Sequence, residues 1–246
     1  MEPQVCYLKE GIARLLDQPG HPLTKRVLFG QPGYSLIIKL SDVRASLGGL
    51  TKIVVESGIA QEVASLLDDD HPIRIWRDQV IFKPAEVGGE ANWHQDGYYW
   101  PTIDASSSIT AWIALDDVTT DNGCLRMARG SHRWGLQHSF LNAVSPISAL
   151  PDLFEGAPVD TVDCPLPRGA VQYHHPLCWH ASNANKSSSS RSGLAVHFVC
   201  GSSARNLSLL PQQDPSQSNW IESTGSLDLD LVHPIVWPAN NKGAGN

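Results

Sequence analysis

Near the N-terminus Val5, Leu8, Ile12, Leu15 and Leu16 recur at helical spacing, with Gly20 as a stop, and predict an amphipathic helix. A second helix is expected to start at Ser57 as N-cap, to turn Ile59, Val63, Leu66 and Leu67 inward, and to end near Asp68-Asp69-Asp70. From Ile73 the period drops to two, as β-branched and aromatic residues alternate with polar ones between turn residues. Strands are expected near Ile73 to Trp76, Gln79 to Lys83, Asn92 to His94, Ser108 to Leu115, Cys124 to Met127, Ala170 to His174 and Leu194 to Val199. Asn122-Gly123 is a strong turn signal between two of them. Many short strands after a helical start predict a mainly β fold, a jelly roll with helices flanking one outer face.

Two stretches lack a period. Gly135 to Pro167 is too long for slack inside a compact domain and reads as a functional cover over the entrance. The tail from Gln212 is rich in Pro, Ser, Asn and Gly and reads as irregular, with 240–246 mobile. The expected organisation is one domain over 1–246: a helical part to about residue 70, a jelly-roll core over 73–200, and the irregular tail.

Composition narrows the function classes. With 18 Lys plus Arg against 25 Asp plus Glu the net charge is −7, and no basic stretch exceeds a pair such as Lys25-Arg26, so a nucleic-acid partner is not expected. The five cysteines are odd in number, widely spaced and without a C-x-x-C pair, which suits reduced thiols in the cytoplasm. No apolar run reaches membrane length and Met1-Glu2-Pro3-Gln4 is no secretory start, so no membrane partner is expected.

The chemistry is centred on Trp93-His94-Gln95-Asp96-Gly97-Tyr98-Tyr99-Trp100. An imidazole and a carboxylate two positions apart point the same way from a strand edge. A third nitrogen ligand would complete the two-histidine, one-carboxylate set that leaves positions open on non-heme Fe(II). His174, His175, His180 and His197 are available, and His180, placed after the strand pattern Gly169 to His174, is the leading candidate. Arg191 follows eleven residues later across a Ser-rich loop, where a guanidinium can meet a carboxylate with two parallel hydrogen bonds. Tyr98, Tyr99, Trp100 and Trp134 around the polar pair favour a fairly large, partly apolar small-molecule substrate.

An ordered set of motifs carries a resemblance over roughly 73–200. They are Asp78-Gln79 with Lys83-Pro84, His94-Gln95-Asp96-Gly97, Trp112 to Asp117, Asn122-Gly123-Cys124-Leu125, Arg129-Gly130-Ser131-His132, Gly169 to His174, and His180-Ala181-Ser182-Asn183 with Arg191. The chain resembles the phytanoyl-CoA dioxygenase family of Fe(II)- and 2-oxoglutarate-dependent oxygenases. The resemblance implies a double-stranded β-helix, the cupin-like jelly roll. It implies Fe(II) held by His94, Asp96 and His180, with 2-oxoglutarate and O2 as cosubstrates. Arg191 matches the residue that pairs with the far carboxylate of 2-oxoglutarate, Trp112 and Ser182 match residues touching the same molecule, and Trp76 matches a strand lining that pocket. Arg129 to His132 matches a tight structural turn. The implied reaction oxidises a small organic molecule with release of succinate and CO2: hydroxylation first, with desaturation, epoxidation, cyclisation or rearrangement as variants. A carboxylate at Asp96 implies oxygen rather than halogen transfer. The rival reading is a non-catalytic metal-binding jelly roll, a sensor or a zinc protein, which has no use for the clamp at Arg191. Substrate identity and oligomeric state stay open.

Overall fold

The alternation that starts at Ile73 becomes two opposed antiparallel sheets in the computed structural model, which describes residues 1–17, 25–29, 35–68, 70–101, 103–201 and 229–238. Gly20, Asp69 and the tail segments 212–228 and 239–246 lie outside the described residues. The larger sheet contains β1 (Lys25–Phe29), β2 (Ile37–Ser41), β3 (Ile73–Lys83), β12 (Arg191–Val199), β5 (Ser108–Ala114) and β10 (Val171–His174), in that spatial order. β13 (Ile235–Trp237) pairs with the start of β3. The smaller sheet runs β4 (Ala91–His94), β11 (His180–Ser182), β6 (Leu125–Ala128) and β9 (Thr161–Cys164). A short hairpin, β7 (Leu153–Phe154) with β8 (Ala157–Pro158), stands apart. This is the jelly roll expected from the pattern.

The helices cover the outer face of the larger sheet. α1 (Glu2–Asp17) buries Val5, Leu8 and Ile12, α2 (Leu50–Glu56) buries Leu50 and Val54, and α3 (Ile59–Leu67) buries Ile59 and Val63. They meet Ile73, Ile75 and Val80 of β3, Ala111 and Ile113 of β5, and Leu194, Val196 and Phe198 of β12 in one apolar core. Because strand side chains alternate, the other residues of these strands face the space between the sheets. There Trp112, Ala114 and Ala195 pack with Cys124, Leu125 and Met127 in a second, smaller cluster.

Several expectations change. The first two strands are one, because the chain from Ile73 to Lys83 is continuous through a bulge: His197 pairs with Arg77 and Phe198 with Ile75, leaving Trp76 unmatched. α3 starts after Gly58, whose φ of 83° suits glycine, and not after Ser57, which closes α2. Leu66 points outward, 55% exposed. Segment 135–167 is not all cover, since β9 completes the smaller sheet beside β6. Arg129 to His132 does form the expected tight turn: Ser131 is fully buried, donates to Ala128 O and accepts from the Trp179 N–H, which ties the turn to the approach of β11. Among the described residues no helix is long and apolar enough to cross a membrane.

Candidate active site

His94 closes β4, and Asp96 opens a 3-10 turn that runs to Tyr99. Gln95, between them, is fully buried. Its amide donates to Gly135 O (2.8 Å) and Leu177 O (2.7 Å) and accepts from the Gln137 N–H (2.7 Å), which fixes the turn from three sides. His180 opens β11 directly opposite His94 in the strand register. Cross-strand pairing therefore brings together two histidines that are 86 positions apart, with ring centroids 4.1 Å from each other.

The three side chains suit a metal ion. Among the described residues His94, Asp96 and His180 form the group whose ligand atoms all lie within 4.8 Å of one another. The Nδ1 of His94 is 2.7 Å from Asn92 O and that of His180 is 3.0 Å from Cys178 O. A carbonyl only accepts, so each ring carries its proton on Nδ1 and turns an Nε2 lone pair toward Asp96. Burial holds the His180 imidazole down at about 3 and lowers His94 as well, which keeps both neutral and able to ligate. Burial alone would raise the Asp96 carboxyl, but the hydrogen bond from His174 to Oδ2 helps to hold it well below the carboxylate range.

These groups line a cavity of about 630 Å³ between the sheets. Arg191, the first residue of β12, is buried in its wall. One guanidinium nitrogen donates to Gly123 O, while Nε has no hydrogen-bond partner among the described residues. An orphaned buried donor on a cation suits an acidic ligand. Trp112 lies against the guanidinium, 5.3 Å from ring centroid to carbon, and only glycine at 193 permits this: a Cβ there would sit 1.9 Å from the Trp112 ring. Ser182 lines the same cavity and accepts from Lys83 Nζ at 2.7 Å. Lys83 pairs with Arg191 across the strands, and burial, then the Arg191 charge, lowers its ammonium to about 6.

Several inward residues on the larger sheet were not singled out as site residues from the sequence. Lys39, Arg77, Gln79, Thr110 and Ala195 all line the cavity. Alternation on β2, where Ile38 and Leu40 face the helices, was the signal that could have found Lys39. Of the other histidines considered, His174 and His197 face the cavity beside Asp96, whereas His175 turns toward His132. Two aromatics are placed elsewhere. Trp76, freed by the bulge, packs with Trp100, Ile103 and Val199 and against His233 instead of lining the pocket. Trp134 joins Trp179 and Phe154 in a separate core. The mouth is formed by Phe29, Glu90, Tyr99 and, from α4 (His138–Asn142) within segment 135–167, His138 and Asn142.

Fold and site define a class: a double-stranded β-helix with two histidines and one carboxylate facing the space between its sheets. The chain belongs to the phytanoyl-CoA dioxygenase family, whose model matches residues 37–193. A phytanoyl-CoA dioxygenase domain-containing protein 1 of Danio rerio is 29% identical over 189 residues, 75% of this chain and 61% of that protein. A phytanoyl-CoA dioxygenase of Arabidopsis thaliana is 32% identical over 169 residues, 69% of this chain and 59% of that protein. The chain thus spans about six tenths of the length of these relatives. Among solved structures, the non-heme alpha-ketoglutarate-dependent carbocyclase SnoK of nogalamycin biosynthesis superposes with a TM-score of 0.66 at 23% identity, covering 81% of this chain and 76% of that one. The non-heme monooxygenase ThoJ superposes with a TM-score of 0.58 at 25% identity, covering 80% and 70%.

Proposed function

We propose that this protein is an Fe(II)- and 2-oxoglutarate-dependent dioxygenase that oxidises a small, partly apolar organic molecule, most simply by hydroxylation, with release of succinate and CO2. One observation carries the reading: two imidazoles and one carboxylate converge in the cavity that also holds Arg191, whose Nε has no hydrogen-bond partner among the described residues. In this reading His94, Asp96 and His180 would hold the iron. Bound Fe(II) supplies the activation of dioxygen, coupled to oxidative decarboxylation of the 2-oxo acid.

The chain's own residues bind, orient and exclude. Arg191 offers paired donors to the distal carboxylate of 2-oxoglutarate, and Trp112 and Ser182 fix the methylene chain and that carboxylate from the sides. Lys39 and Arg77 put further positive charge into the cavity, which suits a dianion. Phe29, Tyr99 and Trp100 supply the apolar part of the wall, and Glu90, His138 and Asn142 the polar groups that would orient a substrate. A reducing, cytoplasmic setting belongs to this reading and rests on Cys6, Cys124, Cys164, Cys178 and Cys200, all free thiols.

Anaerobic titration tests the proposal. Wild-type protein loaded with Fe(II) should develop a weak visible charge-transfer band on adding 2-oxoglutarate, and His180→Ala should not. A metal-loaded protein that develops no band and does not bind 2-oxoglutarate would overturn the reading in favour of a metal-binding sensor.

A further inference from the structure

The two oxygens of Asp96 meet different surroundings. Oδ1 lies 3.7 Å from His180 Nε2 and 4.0 Å from His94 Nε2, too far for hydrogen bonds and close enough for all three atoms to share one ion. Oδ2 is turned to the larger sheet, where Thr110 Oγ1 lies at 3.0 Å and His174 Nε2 at 3.2 Å.

The direction of each bond follows from the donors available. An ionised carboxylate only accepts, so Thr110 spends its single hydrogen on Oδ2 and His174 donates from Nε2. Thr110 Oγ1 is also 2.8 Å from His197 Nδ1 and, having no hydrogen left, accepts from it. The Gln79 amide nitrogen, 3.1 Å from His197 Nε2, can only donate, so that ring nitrogen accepts. The chain thus runs one way, from Gln79 through His197 and Thr110 to Asp96. His174, Thr110 and His197 form a single row across β10, β5 and β12 of the larger sheet. Asp96 itself sits on a four-residue turn. A rigid sheet therefore fixes a ligand that its own local structure would leave free to rotate.

We propose that Thr110 and His174, backed by His197 and Gln79, are positioning residues that commit Oδ2 of Asp96 to the protein and leave Oδ1 alone for the metal. This deepens the function proposed above and rests on it. A carboxylate that binds through one oxygen occupies one of six positions on an octahedral ion, and with two histidines leaves three, enough for a chelating 2-oxo acid and dioxygen. If Oδ2 swings in as well, one of those three is lost. Both donors to Oδ2 should therefore govern cosubstrate binding, although neither touches the cosubstrate in this scheme.

Co(II), whose visible bands report coordination number, provides a readout independent of turnover. It is titrated into wild type, Thr110→Val, His174→Phe and His174→Gln, followed by 2-oxoglutarate. Thr110→Val and His174→Phe should weaken Co(II) binding ~10- to 100-fold and shift its bands. Each should also weaken 2-oxoglutarate binding to the metal-loaded protein. His174→Gln, whose amide can still donate to Oδ2, should recover most of both. Wild-type bands and affinities in Thr110→Val and His174→Phe would overturn the proposal while leaving the iron reading intact. Failure of wild type to bind metal or 2-oxoglutarate would instead remove the iron reading. Should His174→Phe not fold, Thr110→Val decides alone, since it swaps a hydroxyl for a methyl of the same shape and unchanged thermal unfolding shows its packing intact.

Discussion

The two faces of β12 are equally buried and do opposite work. Leu194, Val196 and Phe198 point out toward the helices and pack in the apolar core. Arg191, Ala195 and His197 point in, one of them a cation and one an imidazole, and line the cavity. The outer face gains stability by excluding water from apolar surface. The inner face puts charged and polar groups out of water, which costs stability unless a partner or ligand compensates. One strand thus joins a face built for stability to a face built for binding, and substitutions on the two sides should fail in different ways.

The largest effect is expected at the triad. Asp96→Ala or His180→Ala should abolish succinate formation and tight Fe(II) binding while the folded state persists, because neither side chain belongs to the outer core. Unfolding of both variants under conditions where wild type is folded would place these residues with the stability face. Next comes Phe198→Ala, which removes a fully buried ring from the outer core and should cost about 3–5 kcal/mol in urea unfolding. That is a large share of a typical domain's stability, yet turnover per folded molecule should not change. A variant that stays stable but loses turnover would contradict the division of the two faces.

Arg191→Lys is expected to have a smaller effect. The charge stays and the two-pronged donor goes, so the 2-oxoglutarate requirement should rise ~10- to 100-fold, the equivalent of one good charge-assisted hydrogen bond. Fe(II) affinity should be unchanged. Equal cosubstrate affinity in variant and wild type would exclude Arg191 from the cosubstrate site.

The same division explains what could be read in the sequence. Periodicity found α1, most of α3 and the core strands, because outward residues such as Leu194, Val196 and Phe198 are apolar at every second position. Inward residues left no such trace. Lys39, Thr110 and Gln79 look like surface residues, since a polar side chain facing an internal cavity and one facing solvent alternate in the same way. His94, Asp96, His180 and Arg191 stood out only because their chemistry is recognisable as a set. Trp76 was misplaced because a bulge shifts the alternation by one, and nothing local in Ile75-Trp76-Arg77 announces it. The partners of Asp96 were invisible for another reason: Thr110, His174 and His197 become neighbours only through strand register.

The smallest effect at neutral pH concerns a buried imidazole that lines neither the cavity nor the apolar core. His233 follows the short helix α5 (Leu229–Val232), lies against Trp76 and donates from Nδ1 to Trp76 O at 3.1 Å; its Nε2 is buried with no hydrogen-bond partner among the described residues. Burial, and then the Arg44 guanidinium, lowers its pKa from 6.5 to about 3. The sign follows from linkage. In the unfolded chain the imidazole takes up a proton near pH 6.5, whereas in the folded chain it does so only near 3, so between those values the unfolded state binds more protons. The stability contributed by a neutral His233 is thus complete above pH 6.5 and is lost progressively as the pH falls toward 3. The slope is at most about 1.4 kcal/mol per pH unit for one such group. His233→Gln keeps an amide donor for Trp76 O and removes the titration. Urea unfolding of the metal-free proteins from pH 7 to 4 should show near-equal stability at pH 7 and a shallower acid loss in the variant. Parallel curves across that range would mean that His233 is protonated as readily in the folded protein as outside it, and that its burial against Trp76 does not exclude the charge.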